Sequence, residues 1–197
     1  MTIPLALTGR SLWRFATFAL LAVCCSLTAS AQVGAEALLL VARPQLEDGL
    51  FAKSVVLVTR HGRSPPLGVI VNRPLPKEQG SERTAPTIYL GGPVATQRFA
   101  YLYRTKRPGL SGQMVLRLGE DAFFGISAAI PAELQKEPPP VPRKLFRGFA
   151  SWGHGQLEQE IARGDWLVLP FDADIALRER VDTMWQELLS LASSRSI

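Results

Sequence analysis

Short apolar runs separated by Gly, Pro and polar residues dominate the chain, a pattern typical of strands rather than long helices. The apolar or alternating runs predict strands at 37–42, 54–60, 67–72, 87–90, 98–104, 113–118, 144–150 and 165–170. The turn-forming residues 61–66 join the second and third runs, which predicts a hairpin. Alternation in the fifth run places Phe99, Tyr101 and Tyr103 on one face.

Helical periodicity is confined to short stretches of the chain. Residues 155–164 predict a helix, because two apolar residues lie four positions apart and Gly164 is a natural C-terminal stop. An apolar stripe predicts a last helix at 183–194. Single helical turns are predicted at 46–51 and 131–137. Many strands with few short helices predict an α+β fold with a mixed sheet.

The N-terminal segment has the pattern of a cleavable export signal. Two arginines precede an apolar run that is too short for a comfortable membrane span, and ASA at 29–31 has the form that signal peptidase accepts. We predict cleavage after Ala31, which gives a signal peptide, 1–31, and one periplasmic or secreted domain, 32–197, without a membrane span. An uncleaved N-terminal membrane anchor is the alternative.

Composition and charge narrow the function class. Hydrophobic residues make up 47% of the chain and charged residues 20%, as in a folded domain rather than a disordered one. The signal segment holds two of the 22 Lys and Arg and none of the 17 acids, so the formal charge falls from +5 to +3 without it. This weak, scattered charge disfavours a dedicated nucleic-acid binder. Both cysteines, Cys24 and Cys25, lie in the signal segment, so the predicted mature domain has no cysteine chemistry.

Residues 149–168, FASWGHGQLEQEIARGDWLV, concentrate residue types that occur in active sites. An enzymatic interpretation makes His154 a general base, Ser151 a nucleophile and an acid the orienting group. The acids in this stretch are Glu158, Glu160 and Asp165. The three-residue spacing of Ser151 and His154, without a nucleophile-elbow sequence, weakens this interpretation.

A structural interpretation of the same stretch is favoured. Its glycines allow a sharp turn from strand to helix, and Trp152 and Trp166 bury large apolar areas on either side of that helix. Gln156 and Glu158, near the helix start, can bond to backbone N–H groups there. A third interpretation is an anion bound by the N–H groups near Gly155, which the neighbouring glutamates oppose.

Two loops give weaker signals. Gly91 and Gly92 resemble a phosphate-binding turn, but the loop lacks the Lys and Ser/Thr of a phosphate loop, and Pro93 has no N–H. A tight strand exit, where another backbone approaches closely, is favoured. Asn72 and Arg73 end the hairpin: Asn72 can bond to the backbone, and Arg73 is the charge there that could face a cleft.

The histidines do not predict a metal site. His61 and His154 are the only two in the chain, and without cysteines in the mature domain they match no zinc-binding spacing. His61 lies in the predicted hairpin turn and is expected to be solvated.

Three stretches together resemble the bacterial YqgE/AlgH family. They are ARPQLEDGLFAKSVVLVTRHGRSPPLGVIVNRP (42–74), YLGGPV (89–94) and GFASWGHGQLEQEIARGDW (148–166), in the family's order and spacing. The resemblance extends over about residues 37–190. It implies a single α+β domain with a barrel-like mixed sheet flanked by a few short helices.

The resemblance implies less about activity, because the family has no established catalytic residues. It carries a transcription-regulator label that comes from genetic association in alginate control. Typical members begin near the position of Ala37 and look cytosolic, whereas this chain has an export signal. An exported protein does not contact chromosomal DNA, so nucleic acid is not an expected partner. The stretches 75–86 and 138–142 also depart from the family pattern.

We therefore predict an exported, non-enzymatic binding or scaffold module that recognises an unknown protein or small ligand without a cofactor or metal. Polar and glycine-rich signals in three loops select the predicted ligand-binding residues, which are Asn72, Arg73, Gly91, Gly92, Trp152, His154, Gln156 and Glu158. The alternatives are a transcription-regulator-associated protein, as the family label implies, and a hydrolase that uses His154.

Overall fold

Runs of β-branched and leucine side chains pair into a curled sheet. The computed structural model describes residues 36–47, 49–77, 86–106, 115–128, 130–131 and 142–194. The strands in these ranges are β1 (Glu36–Ala42), β2 (Val55–Arg60), β3 (Leu67–Ile70), β4 (Ile88–Leu90), β5 (Val94–Arg104), β6 (Val115–Arg117), β7 (Ala122–Gly125), β8 (Arg143–Ser151) and β9 (Trp166–Pro170). The helices there are α1 (Gln156–Arg163), α2 (Ala173–Leu177) and α3 (Met184–Ser194). The predicted single-domain α+β fold is confirmed.

The strand order along the sheet is β6-β7-β5-β8-β3-β2-β1-β9, with β4 pairing separately with β8. The predicted hairpin is β2–β3, in which Val58 lies opposite Gly68. Neighbours in this order are antiparallel, whereas β4 runs parallel to β8. The sheet is therefore mixed, as predicted.

The central strands are apolar on both sides because both faces of the sheet are covered. In β1, Leu39 and Val41 face the main core, to which α2 and α3 also contribute. Leu40 and Ala42 face a second core, which is covered by α1 and residues 46–51. An uninterrupted apolar run in the sequence therefore corresponds to a strand between two cores.

Residues 46–51 confirm the predicted inward packing but not the predicted helical turn. Leu46, Leu50 and Phe51 contact the second core. The ring of Phe51 meets that of Trp166 edge-on, with 5.8 Å between centroids. Residues 49–51 form a turn instead, and Gly49 disfavours a helical conformation there.

The link between β4 and β5 crosses directly over β8. Since β4 and β5 pair with β8 over overlapping residues, they occupy opposite edges of it. A Cβ on Gly91 would lie 2.1 Å from the carbonyl oxygen of Gly148, and one on Gly92 would lie 2.3 Å from the carbonyl carbon of Phe149. Gly148 itself has a φ of 70°. The close backbone approach predicted for the Gly-Gly pair is confirmed, and only glycine fits it.

Strand β5 contains a wide irregularity immediately after this crossing. Val94 pairs with Phe149 and Phe99 pairs with Arg147, so five positions of β5 oppose two of β8. Ala95 has a φ of 49°, which non-glycine residues rarely adopt. The residues between Val94 and Phe99 thus leave the regular ladder, and β5 begins earlier than predicted.

Helix α2 is not predicted by the sequence pattern, because it spans only five residues. Its start is nevertheless marked by a capping residue. The carboxylate of Asp172 accepts hydrogen bonds from the backbone N–H groups of Asp174 and Ile175, at 2.8 and 3.1 Å.

Three sequence predictions concern parts of the chain outside the described residues. They are the signal peptide at 1–31, most of the helical turn at 131–137 and most of the segment 138–142. Among the described residues, no helix combines the length and apolar character that a membrane span requires.

Candidate functional site

Glu160 organises the stretch that the sequence singles out, which we call the tryptophan corner: Trp152, Gln156, Glu160 and Trp166. One carboxylate oxygen of Glu160 accepts hydrogen bonds from both indole N–H groups, each at 2.9 Å. The other oxygen accepts from the Gln156 amide at 2.9 Å. The Gln156 carbonyl in turn accepts from the backbone N–H of Gly153 at 2.9 Å. These groups bond to one another, so the corner is a closed structural unit.

Glu160 belongs to the enzymatic interpretation and to the glutamates that oppose a bound anion, but it is not in the predicted binding set. The sequence nevertheless contains a signal for the role of Glu160 as an acceptor. Both tryptophans are 4% exposed, and a buried indole N–H needs an acceptor. Glu160 lies between them in sequence, one helical turn after Gln156.

His154 and Glu158 lie on the exposed side of the same turn. Glu158 forms an ion pair with Arg60 at the end of β2. A hydrogen bond from its own backbone N–H, followed by the bond from Arg60, lowers the pKa of the Glu158 carboxyl. The carboxylate of Asp165 accepts from Arg163 at 2.7 Å.

Ser151, the proposed nucleophile, is exposed at the end of β8. Among the described residues, neither the Ser151 hydroxyl nor the Asp165 carboxylate is hydrogen-bonded to His154. The Ser-His-acid arrangement of the hydrolase interpretation is therefore not assembled in this part of the chain.

Asn72 and Arg73 anchor the loop before β2. The Asn72 side chain accepts from the backbone N–H of Val55 at 2.8 Å and donates to the carbonyl oxygen of Lys53 at 3.0 Å. The Arg73 guanidinium donates to the carbonyl oxygen of Ala52 at 2.8 Å and to a second carbonyl in the same loop. Arg73, the charge in this loop that could have faced a cleft, is thus directed at backbone carbonyls.

The three predicted loops have different neighbours. The N–H of Leu90 donates to the carbonyl oxygen of Arg73 at 2.8 Å, so the NRP and GGPV loops adjoin. At the other end of β3, the N–H of Trp152 donates to the carbonyl oxygen of Pro66 at 3.2 Å. These hydrogen bonds bring the first two loops together and attach the tryptophan corner to the start of β3.

Two open hollows lie instead at the end of β7, and Ile126 lines both. The smaller, the hairpin hollow, has a volume of about 210 Å³ and is lined mainly by Thr59, His61, Ser64, Leu67, Leu116 and Phe124. The larger, the β5 groove, has a volume of about 370 Å³ and is lined by Gln97, Arg98, Phe99, Tyr101, Ile126 and the residues Ser127 and Ala128. His61 is exposed, as predicted, but its position on a cavity wall was not predicted.

The β5 groove combines aromatic surface with positive charge. Phe99 is 36% exposed, and the Arg147 guanidinium lies 6.0 Å from the centroid of its ring. Strands β4 to β8 hold six Lys or Arg residues and no Asp or Glu. Burial raises the pKa of Tyr101, so its phenol stays neutral and can donate a hydrogen bond. Among the described residues that line the groove, the charged side chain is Arg98, so the groove favours anions over cations.

Lys144 is a buried ammonium group on the main-core side of β8, with 3% of its surface exposed. It donates to the carbonyl oxygen of Val71 at 2.8 Å and lies 4.4 Å from the centroid of the Tyr89 ring. Burial lowers the pKa of Lys144 to about 7, helped by Arg178 and opposed by Glu179.

Among the described residues, no group of three or more His, Cys, Asp or Glu side chains is placed to hold a metal ion.

Comparison with known proteins identifies related sequences. A model of the AlgH-like family matches residues 39–195. A UPF0301 protein from Coxiella burnetii is 32% identical over 164 residues, which cover 77% of this chain and 86% of the relative. One from Methylococcus capsulatus is 35% identical over 164 residues, 78% and 88% of the two chains. The UPF0301 protein YqgE of Escherichia coli is 29% identical over 169 residues, 77% and 88%.

Two solved structures share the fold. The solution structure of the AlgH protein from Pseudomonas aeruginosa has a TM-score of 0.58 and 30% identity, and covers 81% of this chain and 87% of its own. The crystal structure of a Corynebacterium diphtheriae protein has a TM-score of 0.64 over 80% and 86% of the two chains. Its 24% identity supports a likeness of fold alone. The family resemblance found in the sequence is confirmed.

Proposed function

The chain belongs to the AlgH-like family, and from that premise we propose that it is an exported, non-enzymatic binding module whose ligand occupies the β5 groove. One observation carries the proposal. In the groove, aromatic and polar side chains line an open volume of about 370 Å³, within the usual range for ligand pockets of about 300–1,000 Å³.

The tryptophan corner supports the proposal by contrast. The carboxylate of Glu160 already accepts three hydrogen bonds from neighbouring side chains. A general acid or base needs its proton-transfer atom within reach of a substrate. A carboxylate that holds two buried indoles serves the fold instead.

The binding proposal is tested with protein isolated from the exported fraction. Ala128→Trp fills the groove, and Val168→Trp places the same side chain on the exposed face of β9, where Val168 is 46% exposed. Wild type and Val168→Trp should retain the same small molecules or proteins in mass spectrometry, and Ala128→Trp should lose them. Equal retention by all three proteins, or none by any, would contradict binding in the groove.

Two further measurements test whether the protein lacks catalytic activity and whether it is exported. A retained ligand should be recovered with its mass unchanged after incubation, and conversion that His154→Ala abolishes would instead establish the hydrolase. The intact mass of the exported protein should match a chain that begins at Gln32. Protein that starts at Met1 and stays in the cytoplasm would overturn the export proposal.

A further inference from the structure

We propose that the β5 groove binds a small anion that carries a flat apolar ring. This inference rests on the proposed function and specifies its ligand class. Three independent features of the groove support it: the ring surface, the charge, and the backbone that presents them.

The ring surface comes from β5. Phe99 and Tyr101 lie on the same face of that strand, as their pairing with Arg147 and Leu145 of β8 requires. Phe99 remains 36% exposed, although burying an aromatic ring is favourable. A planar ligand stacked on Phe99 would cover this surface. Apolar side chains of Ile126 and Ala128 line the same groove.

The charge comes from Arg98, which lines the groove. The Arg147 guanidinium lies outside this lining, 6.0 Å from the centroid of the Phe99 ring. Asp121 lies before the start of β7, where its carboxylate faces Arg104 at 3.5 Å, whereas the groove lies at the end of β7. Guanidinium groups match the geometry of carboxylate and phosphate, so the groove selects either of these anions.

The backbone of the bulge presents Arg98 to the groove. The residues between Val94 and Phe99 are released from the ladder with β8, and Ala95 is held at a φ of 49°. Bulges redirect side chains and occur often beside functional sites, and strained residues persist where the surrounding structure holds them.

The size of the groove limits the ligand. Its volume of about 370 Å³ lies at the lower end of the range for small-molecule pockets, about 300–1,000 Å³. One ring system with one anionic group fits this volume. Carboxylate and phosphate are the two sources of the anion that the test has to distinguish.

Calorimetric titration of the purified protein tests the ligand class. The probes are indole-3-acetate, a ring with a carboxylate, and adenosine monophosphate, a ring with a phosphate; indole, adenosine, acetate and inorganic phosphate are the partial probes. We expect at least one complete probe to bind about tenfold or more tightly than its parts, since hydrogen bonds to charged groups contribute about 1.5–3 kcal/mol. The complete probe that binds identifies the anion. Added salt should weaken binding.

Variants locate the binding. Arg98→Gln and Phe99→Ala should each weaken the binding of the complete probe by about fivefold or more. Arg63→Gln, which replaces an exposed arginine of the β2–β3 turn, should leave that binding unchanged. Melting temperatures of all variants confirm that they are folded.

Two outcomes would overturn the ligand class: no binding of either complete probe, or binding that Arg98→Gln and Phe99→Ala leave intact. If a natural ligand is lost in Ala128→Trp but proves to be neutral or an acidic peptide, the groove function stands and the ligand class fails. If Ala128→Trp loses nothing, the proposed function itself fails.

Discussion

The tryptophan corner and the β5 groove are built from similar residue types but differ in where their polar groups find partners. Each combines aromatic rings, polar side chains and a backbone irregularity. In the corner, Trp152 and Trp166 are each 4% exposed, and Glu160 binds both indoles. In the groove, Phe99 is 36% exposed, and its neighbours line an open volume. A dense aromatic and polar motif in a sequence therefore marks a site only where its groups are not already satisfied by one another.

Sequence distance explains the difference. The corner is assembled from residues within 15 positions, from Trp152 to Trp166, around one short helix. The groove brings the β5 bulge together with residues 126–128, which follow a different strand. Local groups satisfy each other as the helix forms, whereas the distant segments enclose space between them.

The crossing over β8 leads into the irregular part of β5, and disrupting it should have the largest effect. Gly92→Ala would place a Cβ 2.3–2.5 Å from backbone atoms of Phe149 and Ala150, which flexible side chains cannot relieve. We expect a loss of about 3 kcal/mol in the free energy of unfolding, measured by urea denaturation. Gly49→Ala is the control, since nothing lies within 4 Å of its added Cβ. Equal stability of the two variants would contradict the crossing.

Removing the carboxylate of the corner should have the next largest effect. Glu160→Ala leaves two buried indole N–H groups without their acceptor, which is expected to cost about 2–3 kcal/mol of unfolding free energy. Trp fluorescence should shift to longer wavelength as water reaches the indoles. Glu158→Ala, which removes an exposed acid from the same helix, should change stability little. A Glu160→Ala protein as stable as Glu158→Ala would show that the hydrogen bonds do not hold the corner.

The buried Lys144 should give stability a pH dependence between about pH 7 and 10.5. Its pKa is lowered from 10.5 in the unfolded chain to about 7 in the fold. Between these values the unfolded state binds more protons, so stability rises with pH, by up to about 1.4 kcal/mol per pH unit. Below pH 7 both states are protonated and the full penalty for burying the charge applies.

The measurement for Lys144 compares the free energy of unfolding of wild type and Lys144→Met from pH 7 to 9.5. Wild type should gain stability relative to the variant as the pH rises. Lys106→Met, which replaces an exposed lysine, should run parallel to wild type. A constant difference between wild type and Lys144→Met would mean that the ammonium titrates normally.

The smallest effect on stability is expected in the β5 groove. Arg98→Gln and Phe99→Ala alter exposed side chains, so the free energy of unfolding should change by no more than about 0.5 kcal/mol. Denaturation curves that overlay that of wild type would show that the groove does not support the fold. A loss comparable to that of Glu160→Ala would make the groove a second structural corner.

Much of the fold was predictable because its signals are local. The apolar runs predicted the β2–β3 hairpin and the strands around it, and Gly164 ends α1 with a φ of 83°, as expected for a C-terminal stop. The run FFGISAAI at 123–130 has neither a clear strand nor a clear helix periodicity. Pairing with β5 on one side and β6 on the other makes its beginning a strand, β7.

The candidate site was not predictable in the same way. Asn72 and Arg73 carry polar signals, yet their partners are backbone groups about 20 positions away. The groove depends on a register shift in β5, and no residue type in Val94–Phe99 marks that shift as Gly-Gly marks the crossing.

The sequence by itself determined most of the strands, the two longer helices, the family, and the close backbone approach at Gly91 and Gly92. The tertiary structure decided which polar groups are consumed by the fold and which face an open volume. Periodicity and turn chemistry act between near neighbours and can be read along the chain. Satisfaction of a buried polar group depends on whichever distant segment packs against it, and that is set only when the sheet curls.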